Sequence, residues 1–209
     1  RDGVVISLDS SKTIQFGSSA SDEVVSCASL GEDIFVVGVT SDHAASLPCI
    51  YGDCSSDKEN AFVARVSSDM NVMQIVRFGS AAPRDAIISE ENELWILSDS
   101  HGSQDCSQGF ECGDQDMLVV VLNTTDLGNV TRAVRIGTSG HEGAVAIESD
   151  GQGGVVLIGS TDSDSFGDCD PSTICTTSNE NNIIIARIEA SGQVVWATQI
   201  GSNTTVVPS

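Results

Sequence analysis

The chain has 209 residues, of which 30 are acidic and 9 basic, for a formal net charge of −21. Such a field repels phosphate backbones and anionic lipid, so it argues against nucleic acid and membrane surfaces; it suits cations, basic partners or simple solubility. Apolar residues make up 40% and aromatics only 4%, which calls for a core of Val, Ile, Leu and Ala, and no run approaches the ~18 apolar residues of a membrane-spanning helix.

The expected elements follow in chain order. Arg1-Asp2-Gly3 leads straight into Val4-Val5-Ile6 with no signal-peptide pattern, which reads as a processed N-terminus or a piece of something longer. Residues 1–17 read as the last two strands of a partial unit. A first full unit, 18–79, carries strand-like runs at 23–29, 34–40, 61–66 and 72–78. A second, 80–137, carries them at 85–89, 93–98, 117–122 and 130–136. A third, 138–201, carries them at 144–148, 154–160, 183–188 and 193–200. Residues 202–209 read as the start of a following or closing unit. We call the strands of each unit a, b, c and d.

These runs are short, rich in Val and Ile, and bounded by Gly, Asp, Asn and Ser, as strands are. No 3.6-residue apolar pattern runs long enough for a helix. The a–b and c–d connections are short hairpins. The b–c loop is long and acidic in every unit.

A repeated phrase sets the register: Gln15-Phe16-Gly17-Ser18, Arg77-Phe78-Gly79-Ser80, Arg135-Ile136-Gly137-Thr138 and Gln199-Ile200-Gly201-Ser202. Its glycines recur about every 60 residues, the mark of a repeat architecture. Four-stranded antiparallel units repeated in this way point to an all-β fold, a β-propeller or propeller segment with three full blades and a partial blade at each end. A β-sandwich is the alternative, and the equal spacing argues against it. Arg77, Arg135, Gln15 and Gln199 share one blade position and read as outer-strand residues bonding across blades.

Particular residues carry a family resemblance. Val37-Gly38-Val39-Thr40, Ile158-Gly159-Ser160-Thr161, Val63-Ala64-Arg65-Val66, Ile185-Ala186-Arg187-Ile188 and Val194-Val195-Trp196-Ala197-Thr198-Gln199-Ile200-Gly201 resemble the repeat of secreted bacterial-type β-propellers. The second unit departs most, with Ser98 in place of the glycine and no Ala-Arg pair. The resemblance implies scaffold or recognition roles and no enzymatic activity.

Six of the seven cysteines form local couples in the b–c loops: Cys49 with Cys54, Cys106 with Cys112, and Cys169 with Cys175. Their matching placement favours three local disulfides, each contributing ~2 kcal/mol by chain entropy. Zinc is the rival, but the spacings do not match tight pairs and the couples sit in different blades. Disulfides imply an oxidising, extracellular or cell-surface location. Cys27 is left unpaired, and its neighbours Val24, Val25 and Ala28 suggest a buried thiol.

Sequons stand at Asn123, Asn129 and Asn203, the first two expected at a hairpin tip. Asp162, Asp164, Asp168 and Asp170 resemble half of a calcium loop. Phe166 stands where a third ligand belongs and no Glu closes the loop, so no cofactor is expected and calcium is the alternative. His43, His101 and His141 fall on connections of one propeller face and read as surface residues. No nucleophile elbow, phosphate loop or dinucleotide fingerprint is present.

The expectation is a non-enzymatic structural glycoprotein, extracellular or on the cell surface, belonging to a surface or fibrous appendage. It would self-assemble, or meet neighbouring subunits, at its open blade edges. One alternative is a recognition module whose acidic loops bind a cation, a carbohydrate or a basic protein. The other is a propeller hydrolase or lyase.

Overall fold

The computed structural model describes residues 3–6, 13–16, 21–41, 47–54, 59–101, 113–163 and 182–201. Every regular element among them is a strand. β1 (Gly3–Ile6) and β2 (Thr13–Phe16) form an antiparallel pair. Sheet 1 holds β3 (Asp22–Leu30), β4 (Asp33–Thr40), β6 (Asn60–Val66) and β7 (Val72–Phe78), with β5 (Cys49–Tyr51) added along β7. Sheet 2 holds β8 (Ala81–Ile88), β9 (Glu93–His101), β10 (Gln115–Asn123) and β11 (Asp126–Ile136). Sheet 3 holds β12 (Glu142–Ser149), β13 (Val155–Thr161), β14 (Asn182–Ile188) and β15 (Val194–Ile200).

The twelve expected runs of the full units are all strands, paired a–b–c–d in each sheet. Two begin early. β8 starts at Ala81 and β11 at Asp126, the latter because register shifts after Val121 and Leu122 absorb the extra residues and carry the pairing up to the turn. Asn129 is therefore an exposed strand residue, and the hairpin tip lies between Asn123 and Asp126.

The sheets stack face to face in chain order. Phe35, Val37, Val63, Val76 and Phe78 of sheet 1 meet Leu94, Ile96, Leu118 and Val120 of sheet 2. The other face of sheet 2, with Trp95, Leu97, Met117 and Val119, meets Ile147, Val155, Leu157 and Ile184 of sheet 3. On the far side of sheet 1, Ile14 of β2 packs against Val36, Phe62, Ala64 and Val66. Burial follows from position. β9 and β10, covered on both faces, are buried along their whole length except at the ends, whereas β14 in the last sheet alternates strictly.

The a strands lie side by side, β8 between β3 and β12. Each has a register shift at the same place, after Val24, Pro83 and Ala144. Asp85, just past that shift in β8, bonds to both neighbouring sheets. Its Oδ1 accepts from Ser26 Oγ of sheet 1 (3.2 Å) and its Oδ2 from Ile147 N of sheet 3 (3.1 Å).

Candidate functional site

The b–c end of each sheet carries a row of polar residues at matching positions. The strand pairing aligns Asp22, Thr40 and Asn60 in sheet 1 with Ala81, Ser100 and Asp116 in sheet 2, and with Glu142, Thr161 and Asn182 in sheet 3. All nine are buried. Polar groups are buried at such a cost that each must be accounted for.

The row is most developed where sheets 2 and 3 meet. Arg135 Nη2 bonds Asp116 Oδ2 at 2.5 Å, both residues being almost fully buried. Glu142 accepts from Thr138 N (2.7 Å), Thr138 Oγ1 (2.7 Å) and Thr161 Oγ1 (2.6 Å). Burial pushes the Glu142 carboxyl above its ordinary range, against the bonds from Thr138 and Thr161, and the adjacent Asp116 carboxyl pushes it further up. The raised Glu142 carboxyl and the Arg135–Asp116 pair thus meet where sheets 2 and 3 join.

Sheet 2 shows what happens when a member of the row is missing. Ala81 stands opposite Ser100, where the other sheets place Asp22 and Glu142. Ser100 Oγ is buried without a hydrogen-bond partner, and a cleft with room for about one water molecule opens beside it, lined by Tyr51, Ser80, His101 and Arg135.

The repeated phrase has a local task here. Arg77 Nε donates to Leu47 O (3.1 Å), Arg135 to Asp116, and Gln199 Nε2 to Ser163 O (3.1 Å). These bonds run back within the residue's own unit. The reason is the loop's path. In sheet 1 the b–c loop returns along the outer strand as β5, where Arg77 N donates to Pro48 O and Gly79 N to Tyr51 O, each at 2.9 Å. The phrase's glycines leave room for that return: a Cβ on Gly79 would overlap the Asp53 carbonyl and the Cys54 amide, and one on Gly137 would overlap the Asp116 carboxylate. Bonds between sheets are made by Gln74, whose amide gives to Asp126 Oδ1 and accepts from Leu127 N (both 3.0 Å), and by Arg65 Nη1, which reaches Thr125 O (3.3 Å).

Cys49 and Cys54 form a disulfide with their Cα atoms 6.0 Å apart. Cys106, Cys112, Cys169 and Cys175 lie outside the described residues. Cys27 is a free thiol but is exposed, not buried. It stands opposite Val36 in the β3–β4 pairing.

Asn123 sits in an Asx-type turn, its Oδ1 accepting from Thr125 N (2.8 Å) and Thr125 Oγ1 (2.6 Å). Asn203 lies outside the described residues, as do Asp164, Asp168, Asp170 and His43. Asp162 is held by His141, through the backbone N at 2.7 Å and Nδ1 at 3.0 Å. Among the described residues no three His, Cys, Asp or Glu side chains gather as metal donors. His101 and His141 both flank Gln115, one as its β9 partner and one through an isolated bridge.

The polar row escaped the sequence reading. Its signal was there in register: a hydroxyl residue stands at or next to the end of every b strand, and Asn or Asp at or next to the start of every c strand just after the acidic loop.

No family model matches the chain, and no curated protein matches it. Among solved structures it is similar to a protein of unknown function from Bacteroides caccae at 11% identity and a TM-score of 0.47, over 94% of this chain and 53% of that one. It is also similar to an acylaminoacyl peptidase from Pyrococcus horikoshii at 11% and 0.42, over 83% of this chain and 24% of that one. A mannose phosphorylase from Leishmania mexicana in complex with phosphate ion follows at 13% and 0.41, over 90% and 53%. The chain thus spans about half the length of the first and third and a quarter of the second.

Proposed function

We propose that this chain is a non-enzymatic extracellular structural protein, a β-propeller segment with glycans at its sequons, built into a cell-surface or fibrous structure. Successive four-stranded sheets with their a strands side by side are the arrangement of propeller blades. One observation carries the reading above others. Several of the buried polar groups close on one another or on the b–c loop of their own unit, as Arg77 with Leu47 and Glu142 with Thr138 and Thr161 do. Such groups hold a framework rigid. The Cys49–Cys54 bridge adds a covalent tie in the same loop and suits an oxidising compartment.

Labelling intact source cells with an antibody against the chain tests this, together with non-reducing peptide mapping of the recovered protein. The reading expects label on surface structures and local Cys106–Cys112 and Cys169–Cys175 bridges. Protein confined to a reducing compartment with its thiols free would overturn it.

A further inference from the structure

The buried rows of the three sheets hold similar groups in different places. Sheet 1 sets Asp22 on its a strand, Thr40 on b and Asn60 on c. Sheet 3 repeats that order with Glu142, Thr161 and Asn182. Sheet 2 has Ala81, Ser100 and Asp116. Each row thus carries one carboxyl, and in sheet 2 it has moved from the a strand to the c strand.

Charge explains why the a strand of sheet 2 does not keep an acid as well. Asp116 Oδ2 already takes Arg135 Nη2, and the Glu142 carboxyl lies against Asp116. An acid at position 81 would add a further carboxyl to a buried row served by one guanidinium, and an uncompensated buried charge is costly.

The exchange removes an acceptor. In sheet 3 the b-strand hydroxyl of Thr161 donates to Glu142 Oε1 at 2.6 Å. Residues directly opposite in an antiparallel pair point to the same face, so Ser100 stands beside the methyl of Ala81. Ser100 is only 6% exposed, and its Oγ has no protein partner among the described residues. The cleft beside it has room for about one water molecule and is lined by Tyr51 of sheet 1 and by Ser80, His101, Leu118 and Arg135.

We propose that this cleft is a binding site for a single water molecule, which accepts from Ser100 Oγ, stands where sheet 3 has the Glu142 carboxylate, and joins sheet 2 to the β5 loop of sheet 1. A buried water needs two to four polar partners, and the lining is polar enough to offer them. A cation finds no carboxylate in the lining. An anion meets a guanidinium that Asp116 already neutralises, in a chain of net charge −21. The uncharged ligand is the one the site suits.

High-resolution diffraction from wild-type crystals soaked in sodium bromide tests the site. The expected result is one oxygen-sized peak within ~3 Å of Ser100 Oγ, with no anomalous bromide signal. A bromide peak there, a protein side chain filling the cleft, or no density at all overturns the proposal. Two substitutions test the exchange of carboxyl for water. Ala81→Asp should abolish the peak and lower the urea midpoint, because it adds a second carboxyl to the row. Asp116→Asn should lower the midpoint too, by leaving Arg135 without its counter-charge. Together they give sheet 2 the order of sheet 1, so the double variant should lack the peak yet unfold at a higher urea concentration than either single variant. Penalties that simply add would overturn the exchange. The wild-type crystal decides the water site even where a variant fails to fold.

Discussion

Replacing Gly79 by Ala should unlatch the b–c loop of sheet 1. The new methyl would stand roughly 1 Å or more inside the ~3.5 Å of an ordinary contact with the Asp53 carbonyl and the Cys54 amide. Those atoms are backbone, and the Cys49–Cys54 bridge ties them, so they cannot swing aside as a side chain would. Overpacking of this kind costs about 1–3 kcal/mol. Displacing the loop also loses the Gly79 N to Tyr51 O bond, for about 1 kcal/mol more. A total near ~3 kcal/mol corresponds to a fall in Tm of ~6–12 °C for a chain of this size. The control is Gly31→Ala. Gly31 has φ of +60° but nothing within 4 Å of its Cβ position, so only the left-handed backbone is penalised. That costs ~1 kcal/mol. Thermal unfolding followed by circular dichroism, with and without reductant, reads both variants. Reduction frees the loop to lift away, so the penalty at Gly79 should shrink while that at Gly31 stays. A Gly79→Ala protein within ~0.5 kcal/mol of wild type would show that the loop does not lie where this account puts it.

Other outcomes follow from the same contacts. Glu142 binds its proton more tightly folded than unfolded, so its contribution to stability is fully present below the unfolded value and is lost as pH rises through the folded one. Urea midpoints of wild type should therefore fall relative to Glu142→Gln as pH rises above the ordinary carboxylate range; parallel profiles would refute the raised Glu142 carboxyl. Asp85→Ala orphans Ile147 N and Ser26 Oγ at once and should cost ~2–3 kcal/mol in denaturant unfolding. A change under ~0.5 kcal/mol would mean that the a strands are held by other means. In dilute native protein Cys27 should react with a maleimide at once, while Cys49 and Cys54 react only after reduction. Mass mapping that finds Cys27 inert would place it in the core after all.

What the sequence made legible was whatever depends on local pattern. Runs such as Val63-Ala64-Arg65-Val66 and Ile185-Ala186-Arg187-Ile188 declared their strands because β-branched Val and Ile fit a pleated, packed surface. The phrase around Gly79 and Gly137 declared its register, since a glycine is demanded wherever a loop passes that closely. What stayed hidden depends on the neighbouring sheet. Cys27 has apolar neighbours and looks buried, but its thiol is exposed on β3. Asn60, Asp116 and Asn182 look like ordinary loop-edge residues, and only the pairing register reveals them as one buried row. β5 could not be foreseen from three residues, because its pairing is made by the partner strand and the bridge.

Hydroxyl-radical footprinting of Trp196 tests the central claim most directly, comparing the isolated chain at low concentration with the protein in its native surface material. Trp95, fully buried between sheets 2 and 3, serves as the internal reference. The account predicts that Trp196 oxidises readily in the isolated chain and approaches the protection of Trp95 in the assembled material. Equal oxidation of Trp196 in both would contradict a chain built into that material.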